Sequence, residues 1–178
     1  MKREAFEEML TGGHPNSLGR TVEVVEIVLA DRARLGELYA CYQSDDAVVR
    51  LRTSNGLKRI SREKPAWLVP LIDGFLTEIA ALDQASAQWT LADLFETLAP
   101  LLTPSQRQQA EAVLKRNLAH HTDWIVLNQT MKTLGAWAKN DAELTQWLVP
   151  QLERLSGDGR KSVAKTAAKT LKQVMRDA

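Results

Sequence analysis

Asp46-Ala47-Val48-Val49-Arg50-Leu51-Arg52-Thr53-Ser54-Asn55-Gly56-Leu57 decides the fold, because its frame returns along the chain. Asp83-Gln84-Ala85-Ser86 and Asp123-Trp124-Ile125-Val126 reopen it with the same Asp. Eight residues past Val49, Ser86 and Val126 stands a Leu each time: Leu57, Leu94 and Leu134. A fourth copy anchored on Val163 gives Leu171, with Arg160 in place of the Asp. The leucines lie 37, 40 and 37 residues apart. In the first copy Val49, Thr53, Leu57 and Ile60 form one helical apolar stripe. A two-helix unit of this length cannot bury its stripe alone and does so by stacking on its neighbours. The expectation is an all-α solenoid in which Leu57, Leu94, Leu134 and Leu171 occupy equivalent buried positions.

Outward from that frame, the sequence divides into about five helix pairs, near 2–30, 33–63, 66–99, 104–139 and 142–177, in one domain spanning 1–178. Thr11-Gly12-Gly13-His14-Pro15 breaks the first pair, and a helix over 17–30 is expected behind an Asn16 or Ser17 cap. Pro65 opens the third pair. Thr103-Pro104-Ser105-Gln106 is a capping box with Pro at the first helical position. Ser156-Gly157-Asp158-Gly159 splits the last pair. Pro70 and Pro150 stand at matching places and should kink their helices, since the apolar periodicity runs on past each.

Composition narrows the class. The chain is 44% apolar and 25% charged, the balance of an ordinary globular protein. Its single cysteine, Cys41, excludes an internal disulfide and reads as a small buried hydrophobe. Acids stand near the N-terminus where a secretory leader would have its apolar stretch, and with the single cysteine this points to the cytoplasm; the oligomeric state is left open, with a monomer favoured. No apolar run is long enough to span a bilayer. His120-His121-Thr122-Asp123 lacks the carboxylate or thiolate partners of a metal site and reads as a turn, so no metal and no cofactor are expected. No Gly-rich phosphate loop or nucleophile elbow occurs. Trp67, Trp124, Trp137 and Trp147 fall on predicted core stripes.

The string from Asp46 to Leu57 resembles the second-helix signature of HEAT repeats: Asp, then Val-Arg, a small residue, and Leu. Leu35-Gly36-Glu37-Leu38 and Trp67-Leu68-Val69-Pro70-Leu71 resemble the first-helix signature. The resemblance covers residues 17–178, closely only at 46–60; later copies place Ala87 or Gln88, Leu127 and Ala164 where the family carries Arg. It implies a right-handed α-solenoid with second helices lining the concave face, in a family that mostly scaffolds proteins or nucleic acids. Trp89 and Asp93, one helical turn apart, also look like the Trp-x-x-x-Asp pair of the HEAT-like alkylpurine DNA glycosylases. There the resemblance implies that Asp stabilises a sugar cation while Trp contacts the damaged nucleotide. The following Trp-x-x-Arg signature of those enzymes meets Trp124 and Leu127 here, so its phosphate-gripping Arg is absent.

Charge sorts by helix. Segments 46–64, 84–99, 122–139 and 158–177 carry formal charges of +4, −2, +1 and +4, while the whole chain nets only +1. If second helices form one wall, that wall is basic and draws anionic groups to it. Lys161, Lys165, Lys169, Lys172 and Arg176 make a cationic stripe opposite Val163, Ala167, Leu171 and Val174. Arg52, Lys58, Arg59 and Arg62 lie off the Val49–Ile60 stripe. The reading is a non-enzymatic scaffold whose binding residues are Arg52, Lys58, Arg59, Arg62, Trp89, Asp93, Lys132, Lys165, Lys169 and Lys172. An acidic protein segment is the expected partner, nucleic acid the alternative, and a glycosylase-like enzyme the third.

Overall fold

The structure, a computed structural model, describes residues 4–177, and among them no strand forms. The α-helices are α1 (Phe6–Leu10), α2 (Thr21–Ala30), α3 (Leu35–Ala40), α4 (Ala47–Glu63) and α5 (Ile72–Gly74). They continue as α6 (Ala85–Leu98), α7 (Pro104–His120), α8 (Trp124–Ala138), α9 (Ala142–Ser156) and α10 (Lys161–Asp177). Backbone contacts gather the chain into two compact units, one up to Thr90 and one from Leu91 onward, with the division inside α6.

The recurring Asp has a local cause. Asp46 accepts from the Val48 amide at 2.8 Å, and Asp123 accepts from Ile125 and Val126 at 2.8 and 3.1 Å. Each carboxylate occupies N–H groups that the first helical turn leaves unpaired. Thr103 and Gln106 close their capping box in both directions, at 3.2 and 3.0 Å, with Pro104 opening α7.

In the first unit α1 and α2 pack on α4, where Val49, Leu57 and Ile60 are fully buried. Two segments depart from the expected helices. The helix expected over 17–30 starts only at Thr21. Gly19 holds a left-handed φ of +51°, which an α-helix cannot contain, and neither Asn16 nor Ser17 is the cap. The proposed start of the first helix at residues 2 and 3 lies outside the described residues. The helix expected over about 66–81, kinked at Pro70, is replaced by a 3-10 stretch at Pro65–Leu71, then α5, then a π-helical stretch at Phe75–Ile79. Pro70 lacks the amide that an α-helical ladder needs there. Its counterpart Pro150 sits inside α9, which runs unbroken as α-helix to Ser156. Gln88 closes the irregular segment from α6, its side-chain amide donating to the carbonyls of Ile79, Ala80 and Leu82.

In the second unit α8 packs against α7, α9 and α10, and α10 also against α9. Leu94 and Leu134 are fully buried, as Leu57 is in the first unit. Leu171 is not their equivalent. It is half-buried, and Thr170 beside it turns inward instead, to where Gly135 of α8 makes room. A β-carbon placed on Gly135 would stand 2.5 Å from Thr170 Cγ2, so α8 and α10 approach closely only because that residue is glycine.

Candidate functional site

Arg52 is not a surface cation. It is 2% exposed, and its guanidinium donates to five backbone carbonyls, that of Leu10 at the end of α1 and four in the segment between α1 and α2. Leu10 and Gly12 accept at 2.6 and 2.7 Å, Ser17 at 3.1 Å, and Thr11 and His14 at 3.3 Å. Left-handed Gly12, Gly13 and Gly19 let the chain curl its carbonyls around the fork. The expected binding role of Arg52 is thereby corrected: its guanidinium, with Nη1 alone reaching three of the carbonyls, organises this loop and is turned away from solvent.

The other cations expected on α4 remain nearer the surface. Lys58 and Arg59 are half-buried, with Arg59 Nε donating to Asn55 at 2.7 Å, and Arg62 is exposed. Trp89 is half-buried on the part of α6 that belongs to the first unit. Asp93 is half-buried in the second unit. Leu127, at the position where the glycosylase signature carries Arg, is buried at 2% exposure.

The second unit brings Lys132 of α8 together with Lys165 and Lys169 of α10. These three, with Ala136, Thr166, Thr170, Gln173 and Glu96, line one groove of about 480 Å³. Lys172 continues the α10 face beside Lys165 and Lys169 and joins Arg176 there. All four predicted lysines are exposed. The acids at the ends of α10 are occupied by arginines: Asp158 pairs with Arg160 at 2.7 Å and Asp177 with Arg176 at 3.2 Å. Hydrogen bonding from Arg160 holds the Asp158 carboxyl down at about 2. Among the described residues, no ion pair takes up Lys132, Lys165, Lys169 or Lys172. The groove residues Thr166, Thr170 and Gln173 were missed in the sequence, although their 4 and 3 spacing alongside the lysines was available to read.

The tryptophans expected in the core lie at its edge. Trp67, Trp137 and Trp147 are half-buried, each with a cation over its ring: Arg32 at 5.6 Å, Arg107 at 3.2 Å and Lys115 at 5.2 Å from the ring centre. Stacking on a ring face offsets part of the cost of bringing a cation out of water. Burial pulls the Arg107 guanidinium below its usual range, against the opposing pull of Glu111. Trp124 is 49% exposed at the first residue of α8.

Cys41 is buried as expected, and burial, with help from Glu7 and Glu37, pushes its thiol up to about 11. His121 caps its own turn, Nδ1 accepting from the Asp123 amide at 3.0 Å. No helix among the described residues is long and apolar enough to cross a membrane.

No family model matches the chain, and no curated protein does. A solved structure that the chain resembles is a crystal structure of an engineered protein from the Northeast Structural Genomics Consortium. The two share 16% sequence identity at a TM-score of 0.64, over 96% of this chain and 80% of that one. At this identity the likeness bears on the helical fold alone.

Proposed function

We propose that this chain is a non-enzymatic, HEAT-type right-handed helical scaffold that holds an anionic partner against lysine-rich faces of its second helices. The observation that carries this reading is the groove of the second unit, where Lys132, Lys165 and Lys169 converge from two helices and outnumber its one carboxylate, Glu96, while the neighbouring acids of α10 are paired with arginines. A cluster of exposed ammonium groups raises the local concentration of carboxylate-rich or phosphate-rich segments and speeds their encounter. The buried Leu127 at the glycosylase arginine position favours this reading over an enzyme acting on alkylated bases.

The test is a titration of the whole chain against two fluorescent polyanions, a glutamate-rich peptide and an oligonucleotide, across a salt series. At least one should bind at low salt and weaken steeply as salt rises. The double reversal Lys165→Glu with Lys169→Glu should weaken that binding by more than about tenfold, roughly 1.4 kcal/mol, with unchanged circular dichroism. Failure of both polyanions to bind at low salt overturns the proposal.

A further inference from the structure

The groove has a direction, and an aromatic residue stands at one end of its line. α8 and α10 run side by side in the same sense. Arg160, just before α10, donates to the carbonyl of Thr122, just before α8. Asn128, one turn into α8, donates to Ser162 at the start of α10 at 2.6 Å, and two turns further Gly135 admits Thr170. Lys132 and Ala136 line the groove with Lys165 and Lys169, and Asn128 and Trp124 precede them at four-residue spacing along the same ridge of α8. Trp124 lies about 12 Å along the helix from Lys132. Its ring is exposed where Trp137 and Trp147 in the same unit are covered by cations.

We infer that the α8–α10 face is a track for a single-stranded polynucleotide, with Trp124 stacking a base at the entrance and Lys132, Lys165 and Lys169 taking successive phosphates. This rests on the anionic-partner reading and names the partner. An exposed indole ahead of a line of cations is the combination that sequence-tolerant single-strand binding uses, because every base offers a π-face. Carboxylates of an acidic peptide would satisfy the lysines equally well, but they give the ring nothing to stack on. Duplex DNA fits the face poorly, because its bases are paired and stacked on one another and leave no face for the indole. A single strand can turn a base onto the ring while its phosphates follow the lysines. Lysine, a flexible point charge rather than a fixed fork, suits contact with a backbone whose conformation varies.

The experiment uses the full chain with fluorescein-labelled oligothymidylate, the matching oligouridylate, a duplex of equal length and a glutamate-rich peptide, read by anisotropy across a salt series. Both single strands should bind more tightly than the duplex and the peptide, and the two separate DNA from RNA as the natural source. Trp124→Ala should weaken single-strand binding by about 5- to 150-fold and leave the salt slope unchanged, since it removes stacking and no phosphate contact. Trp124→Phe should restore part of the loss. Lys165→Gln with Lys169→Gln should lower the salt slope by about 1.4, from roughly 0.7 per phosphate on a single strand. All three substituted positions are exposed, and circular dichroism checks the fold. If the acidic peptide or the duplex binds best, or if Trp124→Ala changes nothing while the lysine variant weakens binding, the single-strand inference is overturned and the anionic-partner reading stands. If none of the four probes binds, both fall.

Discussion

Replacing Arg52 by Ala should destabilise the protein by about 3 kcal/mol, and the geometry supplies the figure. Hydrogen bonds to a charged group contribute roughly 1.5–3 kcal/mol each. Of the five that Arg52 donates, those to Leu10 and Gly12 are the shortest, at 2.6 and 2.7 Å. The carbonyls of Gly12, Ser17, Thr11 and His14 all belong to exposed residues, which water can re-solvate once the side chain is gone, so only the bond to Gly12 among these four is counted, for its short length. Counting the two short bonds gives about 3–6 kcal/mol, and relief of the buried guanidinium's desolvation brings the net to the low end. That is a large share of the roughly 5–15 kcal/mol that holds an ordinary protein together. Urea unfolding followed by circular dichroism reads it as a lower midpoint at unchanged slope. Gly19→Ala makes the test specific. A β-carbon there would meet Arg52 Cζ at 2.8 Å, in addition to the strain of φ +51°. In the Arg52→Ala background the collision vanishes and only the strain remains, so the two substitutions should couple by more than about 0.5 kcal/mol. Additive effects, or a loss from Arg52→Ala below about 0.5 kcal/mol, would refute the carbonyl cradle and return Arg52 to the binding surface.

Two further outcomes follow from burial. Leu94→Ala should cost about 2–5 kcal/mol in urea unfolding, the range for truncating a fully buried leucine, and Leu171→Ala distinctly less because that side chain is only half-buried. The Cys41 thiol, pushed up to about 11 from an ordinary value near 9, favours its neutral form in the fold. Its stabilising contribution is therefore complete below about pH 9 and is lost as pH rises towards 11; alkylation by iodoacetamide at pH 8 should be slow until denaturant opens the fold, and fast labelling of the native chain would contradict the burial.

What could be read from the sequence was local. Asp46 and Asp123 cap their helices through amides two and three residues away, and Thr103 with Gln106 through each other, so a short string carries the whole interaction. The apolar stripe of α4 depends on one period, and the recurring leucines Leu57, Leu94 and Leu134 of α4, α6 and α8 are buried. Arg52 and Arg59 show where such reading ends. They stand seven residues apart, two turns along the same flank of α4, and periodicity treats them alike. What separates them is the segment from Leu10 to Ser17, laid over Arg52 from about forty positions away in the chain. Tryptophan misled for a different reason. Hydrophobic patterning counts the indole as core, but its face also binds cations, and Arg32, Arg107 and Lys115 let three of them rest at the edge of the core.

The same distinction changes the meaning of the charge pattern. A formal total over the second helices counts every cation as available, yet Arg52 is spent on carbonyls and Arg160 on Asp158. In the second unit, the cations that remain on the groove are lysines from two helices. Lysine offers no planar fork for bidentate recognition, so its contacts add affinity without fixing geometry or sequence. A face of this composition should hold its partner by electrostatics that salt removes, and any selectivity it has must come from a group other than the lysines. In the second unit the exposed side chain best fitted to supply it is the indole of Trp124.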